Sequence, residues 1–400
     1  MENLPRRRFL HLALATSGLL ATRLSFAGGP RGERRLVLVV LRGALDGLAA
    51  VPPYADPDYA RVRGEAALAA PGGAQGALPL DGFFGLHPAL GFLGRCYAAR
   101  ELTVLHALAT PYRERSHFDG QDVLENGSPR PHALQSGWLN RALASLPAPG
   151  ARATGVALGQ NVPLVMRGPA EVASWSASRM AALDEETLQR ITDLYASDTL
   201  LAGRFAEALS TQALAETMPA EAPGPPDYAA RYAQVVRAAA GFLRQPAGPR
   251  VAVFDTTGWD THANEGAAEG QLAGRLRALD GGLALLREEL GPVWADTAVL
   301  LVTEFGRTAA VNGTRGTDHG TGAAAFLVGG AVAGGRVVAD WPGLAPRALY
   351  EGRDLRPTLD LRAVLKGLLA EGLGVSPRAL ESDVFPDSTA ARALPGLLRG

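Results

Sequence analysis

The chain has one cysteine, Cys96, in 400 residues. A lone thiol excludes an intrachain disulfide, so stability has to come from a buried core. Lysine occurs once, at Lys366, and aromatic residues make up 6%; the scarcity of lysine says nothing about function. Neither sign of charge is in excess, with a formal net charge of −1 and a pI near 6.7. That excludes the basic field needed to bind nucleic acid or an anionic membrane surface. No uncharged apolar run reaches the ~20 residues that a membrane span needs. No haem, flavin or iron–sulfur motif is visible, which weakens any redox reading. What is present is 47% hydrophobic and 20% charged sequence. Such a chain is globular with a sizeable core, long enough for one large α/β domain or two ordinary ones.

The first segment stands apart. PRRRFLHLALATSGLLATRLSFAGG opens with Arg6-Arg7-Arg8-Phe9-Leu10, continues in a modest apolar run and ends on small residues around Ala27. A charged start, a short apolar stretch and a small-residue cleavage site describe an export signal, which sets residues 1–27 outside the fold. The order R-R-x-F-L resembles the twin-arginine address of proteins exported already folded. Arg23, late in the apolar run, favours that route over an ordinary basic leader. The expected destination is the periplasm or cell envelope.

Residues 34–395 read as a single domain. RRLVLVVLRG (34–43), ELTVLHAL (101–108), RVAVFDTT (250–257) and DTAVLLVTEF (296–305) are short apolar runs rich in β-branched residues. Continuous rather than alternating runs suit parallel strands covered on both faces. Helical patterns lie between them, at 87–100, 136–146, 268–290 and 361–373. The alternation predicts an α/β fold, a doubly wound and mostly parallel sheet with helices on both faces. Residues 168–245 break the rhythm and read as a helical insertion around the proline-rich PAEAPGPPD.

Ligands of open α/β sheets bind beyond the carboxyl ends of the strands, and the conspicuous polar residues fall there. The first strand runs into Asp46, the second into Ser116-His117, the third into Asp260 and His262, and the fourth into Glu304, Arg307, Asp318 and His319. Acids and imidazoles in small-residue loops are ordinary ligands of zinc, manganese or iron. Without a cation, so many carboxylates on one rim would repel one another. Ser116 opens a helix, where backbone N–H groups favour an anion. A metal beside an anion site suggests hydrolysis of a phosphate or sulfate ester. Arg307, with Arg115, has the fork geometry to hold a small anionic substrate. One or two divalent ions, zinc or manganese, are expected.

Each residue alone has a blander reading. Asp46-Gly47 is an ordinary turn, Asp260 a helix cap, and Glu304 with Arg307 a simple ion pair. His87 before Pro88, His106 inside an apolar strand and His132 in a loop read as structural. Only the joint pattern points to a site.

The segments LRGALDGL, RSHFDGQDVLENG, GWLNRAL, FDTTGWDTHANE, VTEFGRT and TDHGTG, followed by GGAVAGGRVVADWPGL and LYEGRDLRPTLDLRAVLKGLL, together resemble the exported bacterial family called domain of unknown function 1501. That family is similar in turn to the alkaline phosphatase and sulfatase superfamily. The resemblance implies a doubly wound sheet with one or two metals. It casts Asp46 as the first metal carboxylate, Ser116 as the nucleophile and His117 as acid or stabiliser. It casts Asp260 with His262 as a metal pair, Glu304 as the acid after the fourth strand and His319 as the last histidine ligand. Phe305 stands where a histidine would complete a second metal; alternatively Asp318-His319-Gly320 supplies that Asp-His pair. Cys96-Tyr97-Ala98-Ala99-Arg100 superficially fits the sulfatase C-x-[PA]-x-R pattern, but it lies near the end of a predicted helix rather than its start and reads as a core thiol.

Overall fold

The computed structural model describes residues 34–73, 75–147, 155–176, 185–195, 228–246 and 248–400, with Asp198, Ala202 and Phe205 singly. The export signal expected over residues 1–27 lies outside the described residues.

The strands are β1 (Arg35–Leu41), β2 (Leu78–Pro79), β3 (Gly85–Leu86), β4 (Leu102–Ala109), β5 (Gly155–Leu158), β6 (Val172–Trp175), β7 (Val251–Thr256), β8 (Thr297–Val302), β9 (Ala323–Val328), β10 (Arg336–Val338) and β11 (Leu359–Asp360). Nine form one sheet in the order β10-β4-β9-β8-β1-β7-β5-β6, with β11 also on β4. β1 is paired in parallel with β7 and β8, and β5 in parallel with β6 and β7. β9 alone runs antiparallel to both neighbours, β4 and β8. The sheet is therefore mostly parallel, as the apolar runs predict.

The helices are α1 (Gly47–Ala50), α2 (Tyr59–Arg63), α3 (Gly91–Ala98), α4 (His117–Asn126), α5 (Trp138–Ala144), α6 (Glu185–Tyr195), α7 (Tyr228–Arg244), α8 (Gln271–Leu290) and α9 (Leu361–Leu373). The pleat sends alternate side chains of β1 to opposite faces. Val37, Val39 and Leu41 join a core with Phe92 and Leu93 of α3, Val236 and Ala240 of α7, and Leu276 and Leu283 of α8. Leu36, Leu38 and Val40 join the other, with Leu139 and Leu143 of α5 and Val364, Leu365 and Leu368 of α9. Burying both faces is what makes the strand runs continuously apolar, and the result is a doubly wound α/β sandwich.

The interval read as a helical insertion begins differently: Val172–Trp175 is an edge strand of the main sheet. Helices α6 and α7 follow, and the PAEAPGPPD stretch lies outside the described residues. Among the described residues no helix is long and apolar enough to cross a membrane.

Candidate metal centre

At the carboxyl edge of the central strands, three connections converge. β4 leads into α4, whose first residue is His117. β7 leads into Asp260 and His262, and β8 into a loop that folds back, pairing Arg307 with His319 before entering β9. Close backbone approach holds the loops together: a Cβ on Gly316 would lie 2.3 Å from the His262 carbonyl carbon, so only glycine fits there. Asn312 Nδ2 and Thr314 Oγ1 donate to the His262 carbonyl at 3.0 and 2.6 Å.

Side chains of His117, Asp260 and His319 offer ligand atoms within 4.8 Å of one another. His262 Nε2 lies 3.0 Å from Asp260 Oδ1 and 3.0 Å from His319 Nε2. His319 Nε2 is 3.2 Å from the same Oδ1, and His117 Nε2 is 3.4 Å from Oδ2. Three of the chain's seven histidines thus turn Nε2 toward one carboxylate.

Their other nitrogens are tied outward. His117 Nδ1 meets Glu304 Oε1 at 2.8 Å, His319 Nδ1 the Arg115 carbonyl at 2.9 Å, and His262 Nδ1 Asp318 Oδ1 at 3.3 Å. An acceptor behind Nδ1 places the proton there and leaves Nε2 as the free base, the usual arrangement behind a metal-ligating imidazole. His117 Nε2 is buried and lacks a hydrogen bond. This donor set of imidazole nitrogens and one carboxylate fits a transition metal.

Electrostatics fit the same division. The hydrogen bond that His117 donates to Glu304 raises the His117 pKa above its ordinary value, against the opposing effect of burial. Burial lowers that of His319. Burial works against ionisation of Asp260, but the Arg307 guanidinium outweighs it and holds the carboxyl below its usual range. The contact is direct, Arg307 Nη1 to Asp260 Oδ1 at 2.5 Å.

Several residues sit elsewhere than expected for their anticipated roles. Glu304 does not face the cluster: Oε1 accepts from His117, from the Gly43 N–H at 2.8 Å and from Gln121 Nε2 at 3.1 Å, while Oε2 accepts from Thr303. This buried carboxylate orients His117 and is engaged at both oxygens, Oε1 by three donors. Asp318 stands behind His262, also bonded to Asn312. Asp46 lies below the rim. It caps α1 through the Ala49 N–H and pairs with buried Arg63 at 2.9 Å. Burial opposes its ionisation, and the charge of Arg63 overcomes that. Arg307 is buried, its Nε donating to Thr317 Oγ1 at 3.1 Å, so it braces Asp260 rather than reaching outward. Arg115 is likewise engaged, by Glu351 and Asp354.

Ser116 is the N-cap of α4 with extended backbone, and its side chain makes no capping bond. The Tyr112 phenol is hydrogen bonded to its N–H at 3.2 Å and to its side chain. Phe305 is buried and stacks on His117, ring centroids 5.0 Å apart. An apolar ring therefore backs His117 on that side.

The residues read as structural are so disposed. His106 is buried, its Nε2–H donates to the Val51 carbonyl at 3.1 Å, and burial takes its pKa down to about 4. His87 is bonded to the Ala267 carbonyl. His132 faces Asp119 and Asp122 on the surface. Cys96 is buried, and desolvation pushes its thiol up to about 12, the reverse of a reactive cysteine. Gln121, Asn312, Thr317 and Arg63 were not singled out in the sequence; only their partners mark them.

The family profile described as protein of unknown function (DUF1501) matches residues 103–382, well over half of the chain. The protein belongs to this family. DUF1501 therefore takes in α4 with His117, the Asp260–His262 segment and the loop bearing His319. No curated protein matches the chain. Among solved structures, this DUF1501 protein is similar to the lipoteichoic acid synthase LtaP from Listeria monocytogenes, at 9% identity over 89% of this chain and 76% of that one, TM-score 0.40. It is similar to a phosphonate monoester hydrolase of Agrobacterium radiobacter, at 10% identity over 86% and 74%, TM-score 0.39. It is also similar to the PsFucS1 sulfatase from Pseudoalteromonas sp., at 12% identity over 84% and 68%, TM-score 0.32.

Proposed function

We propose that this DUF1501 protein is an exported, metal-dependent hydrolase of phosphate or sulfate esters, with Asp260, His117, His262 and His319 holding one divalent ion, zinc or manganese. The observation that carries it is the inward set of three Nε2 atoms around Asp260, each with its Nδ1 tied to an outer acceptor. His117 thereby moves from acid or stabiliser to ligand, Glu304 and Asp318 move from ligands to partners of His117 and His262, and Asp46 becomes the cap of α1 and the partner of Arg63. The stack of Phe305 on His117 supports one ion rather than two. A bound ion supplies Lewis acidity toward the oxygens of a phosphoryl or sulfuryl group.

The chain's own residues do the rest. Ser116 is the nucleophile: its hydroxyl is not spent on capping, and its neighbours Arg115 and His117 both touch the cluster through the Arg115 carbonyl and the His117 ring. Arg307 fixes the orientation of Asp260. The amino end of α4 meets the substrate's negative charge, because Arg307 and Arg115 are already paired. Export rests on the twin-arginine-like leader.

Elemental analysis of the purified protein is the test, with turnover of aryl phosphates and sulfates. His262→Ala with His319→Ala should strip the metal, and Ser116→Ala should abolish turnover. Full metal content in the double variant rejects the ligand set, and wild-type rates in Ser116→Ala reject the nucleophile. One observation favours a second reading, a non-catalytic binding protein on a degenerate hydrolase fold: Arg307 already neutralises Asp260, so the cluster is tolerable without an ion. A wild-type protein free of metal would favour it.

A further inference from the structure

We propose that a polar cavity beside the histidine cluster receives the uncharged, hydroxyl-rich part of the ester, a sugar or polyol; this rests on the hydrolase reading above. The cavity, about 600 Å³, opens at the carboxyl ends of β1, β5 and β7 against α4. One face of α4 connects it to the cluster. His117, Gln121 and Glu125 are spaced i, i+4, i+8 and share that face, so cluster and cavity wall lie roughly 12 Å apart along the helix. Between them, Gln121 touches both Glu304 behind His117 and Arg42 in the cavity wall, at 3.1 and 3.0 Å. A molecule with its ester group at the cluster has room for its remainder here.

The wall decides the chemistry of that remainder. Arg167 apart, its charges are already compensated. Arg42 Nη1 pairs with Glu125 at 2.8 Å and its Nε with Asp255. Asp122 is taken by Asn126 and His132. A second anion would meet Asp255 and Glu125, and a cation would displace Arg42 from them. What stays open is neutral or one-sided. Gln160 and Asn161 are exposed cavity residues whose side chains make no hydrogen bond among the described residues. Arg167 is exposed and, among the described residues, only its Nε is bound, to the Val162 carbonyl at 2.7 Å. Two amides present donors and acceptors together, which matches hydroxyl groups, each of them both donor and acceptor. An apolar group would leave these polar atoms unpaired against it.

The experiment compares binding by calorimetry to the metal-loaded protein, using glucose 6-phosphate and glycerol 3-phosphate against phenyl phosphate, and the corresponding sulfates. The hydroxylated esters should bind at least tenfold more tightly than the phenyl ester. In Asn161→Ala with Arg167→Met, both changes lying at exposed positions that spare the core, that ratio should fall at least tenfold. Equal affinities in the wild type, or a ratio unmoved in the variant, overturn the proposal. Metal content and turnover on the same samples separate the two failures. Selective binding without turnover rejects hydrolysis but keeps the cavity assignment, and turnover without selectivity does the reverse.

Discussion

Glu304 shows how one carboxylate can serve a centre it does not enter. Its charge faces His117 Nδ1, so it both aims the ring and raises the ring's pKa. Glu304→Gln keeps the shape but loses the charge. Outer partners of this kind are worth about 10- to 100-fold in metal affinity, and that is the loss expected in a competition titration. The pH dependence should change as well. In the wild type, a proton on His117 competes with metal from above the ordinary histidine range downward. In the variant that competition should begin at lower pH, because the raising partner is gone. An unchanged plateau affinity would remove Glu304 from the support of the site. A second carboxylate gives a different pH effect. Glu265 is buried among Asp46, Arg63, Thr261 and Thr317, and burial, then the charge of Asp46, push it up to about 8. A carboxyl raised on folding contributes stability that is full below its ordinary value, near 4.5, and is lost as pH climbs through about 8. Glu265→Gln carries no such charge at any pH. Its melting temperature relative to wild type should therefore be higher at pH 8.5 than at pH 5, a difference in which the other titrating groups cancel. A difference independent of pH would mean Glu265 is ionised throughout.

At the scale of elements, α4 is the part most tightly coupled to the centre. Gly120 lies one turn after Ser116 and faces Phe305: an added Cβ would lie 2.8 and 3.0 Å from ring carbons and 3.5 Å from Glu304 Cβ. Alanine gains up to about 1 kcal/mol of helix propensity, but forcing a methyl into a packed contact costs about 1–3 kcal/mol. Gly120→Ala should therefore destabilise the fold in denaturant titration. Because Phe305 stacks on His117, it should also weaken metal binding; intact affinity would show the ring to be uncoupled from the site. The same scale shows what the sequence could reveal. β1, β4, β7 and β8 were legible because strands buried on both faces must be apolar throughout. β9, AAAFLV, was not, since its alanines favour helix and only its place between β4 and β8 makes it a strand. β5, β6, β10 and β11 are two to four residues long, too short for any period to register. The gathering of polar residues at strand ends was readable from strand order. The division of labour among them was not. Whether an acid faces the cluster or stands apart from it depends on partners such as Gln121 for Glu304 and Arg63 for Asp46, which come from other elements and carry no motif.

For the molecule as a whole, the proposed ligands come from three connections spread over the middle of the sheet, after β4, after β7 and before β9. Between β4 and β7 lie β9, β8 and β1, so a bound ion would tie loops across five adjacent strands. An ion that binds only the folded chain stabilises it by mass action, about 4 kcal/mol at a thousandfold excess over its dissociation constant. A chain of this length has an unfolding entropy near 0.8 kcal/mol per kelvin, so the shift in melting temperature should be only about 5 °C. Removing metal with a chelator should therefore lower the melting temperature by roughly that amount, and restoring zinc or manganese should recover it. The His262→Ala, His319→Ala protein supplies the control, since its melting temperature should not respond to chelator or to added metal. Stabilisation of that variant equal to the wild type's would place the ion elsewhere, and the carboxyl edge of the sheet would then hold a hydrogen-bonded cluster of histidines around an arginine-neutralised aspartate.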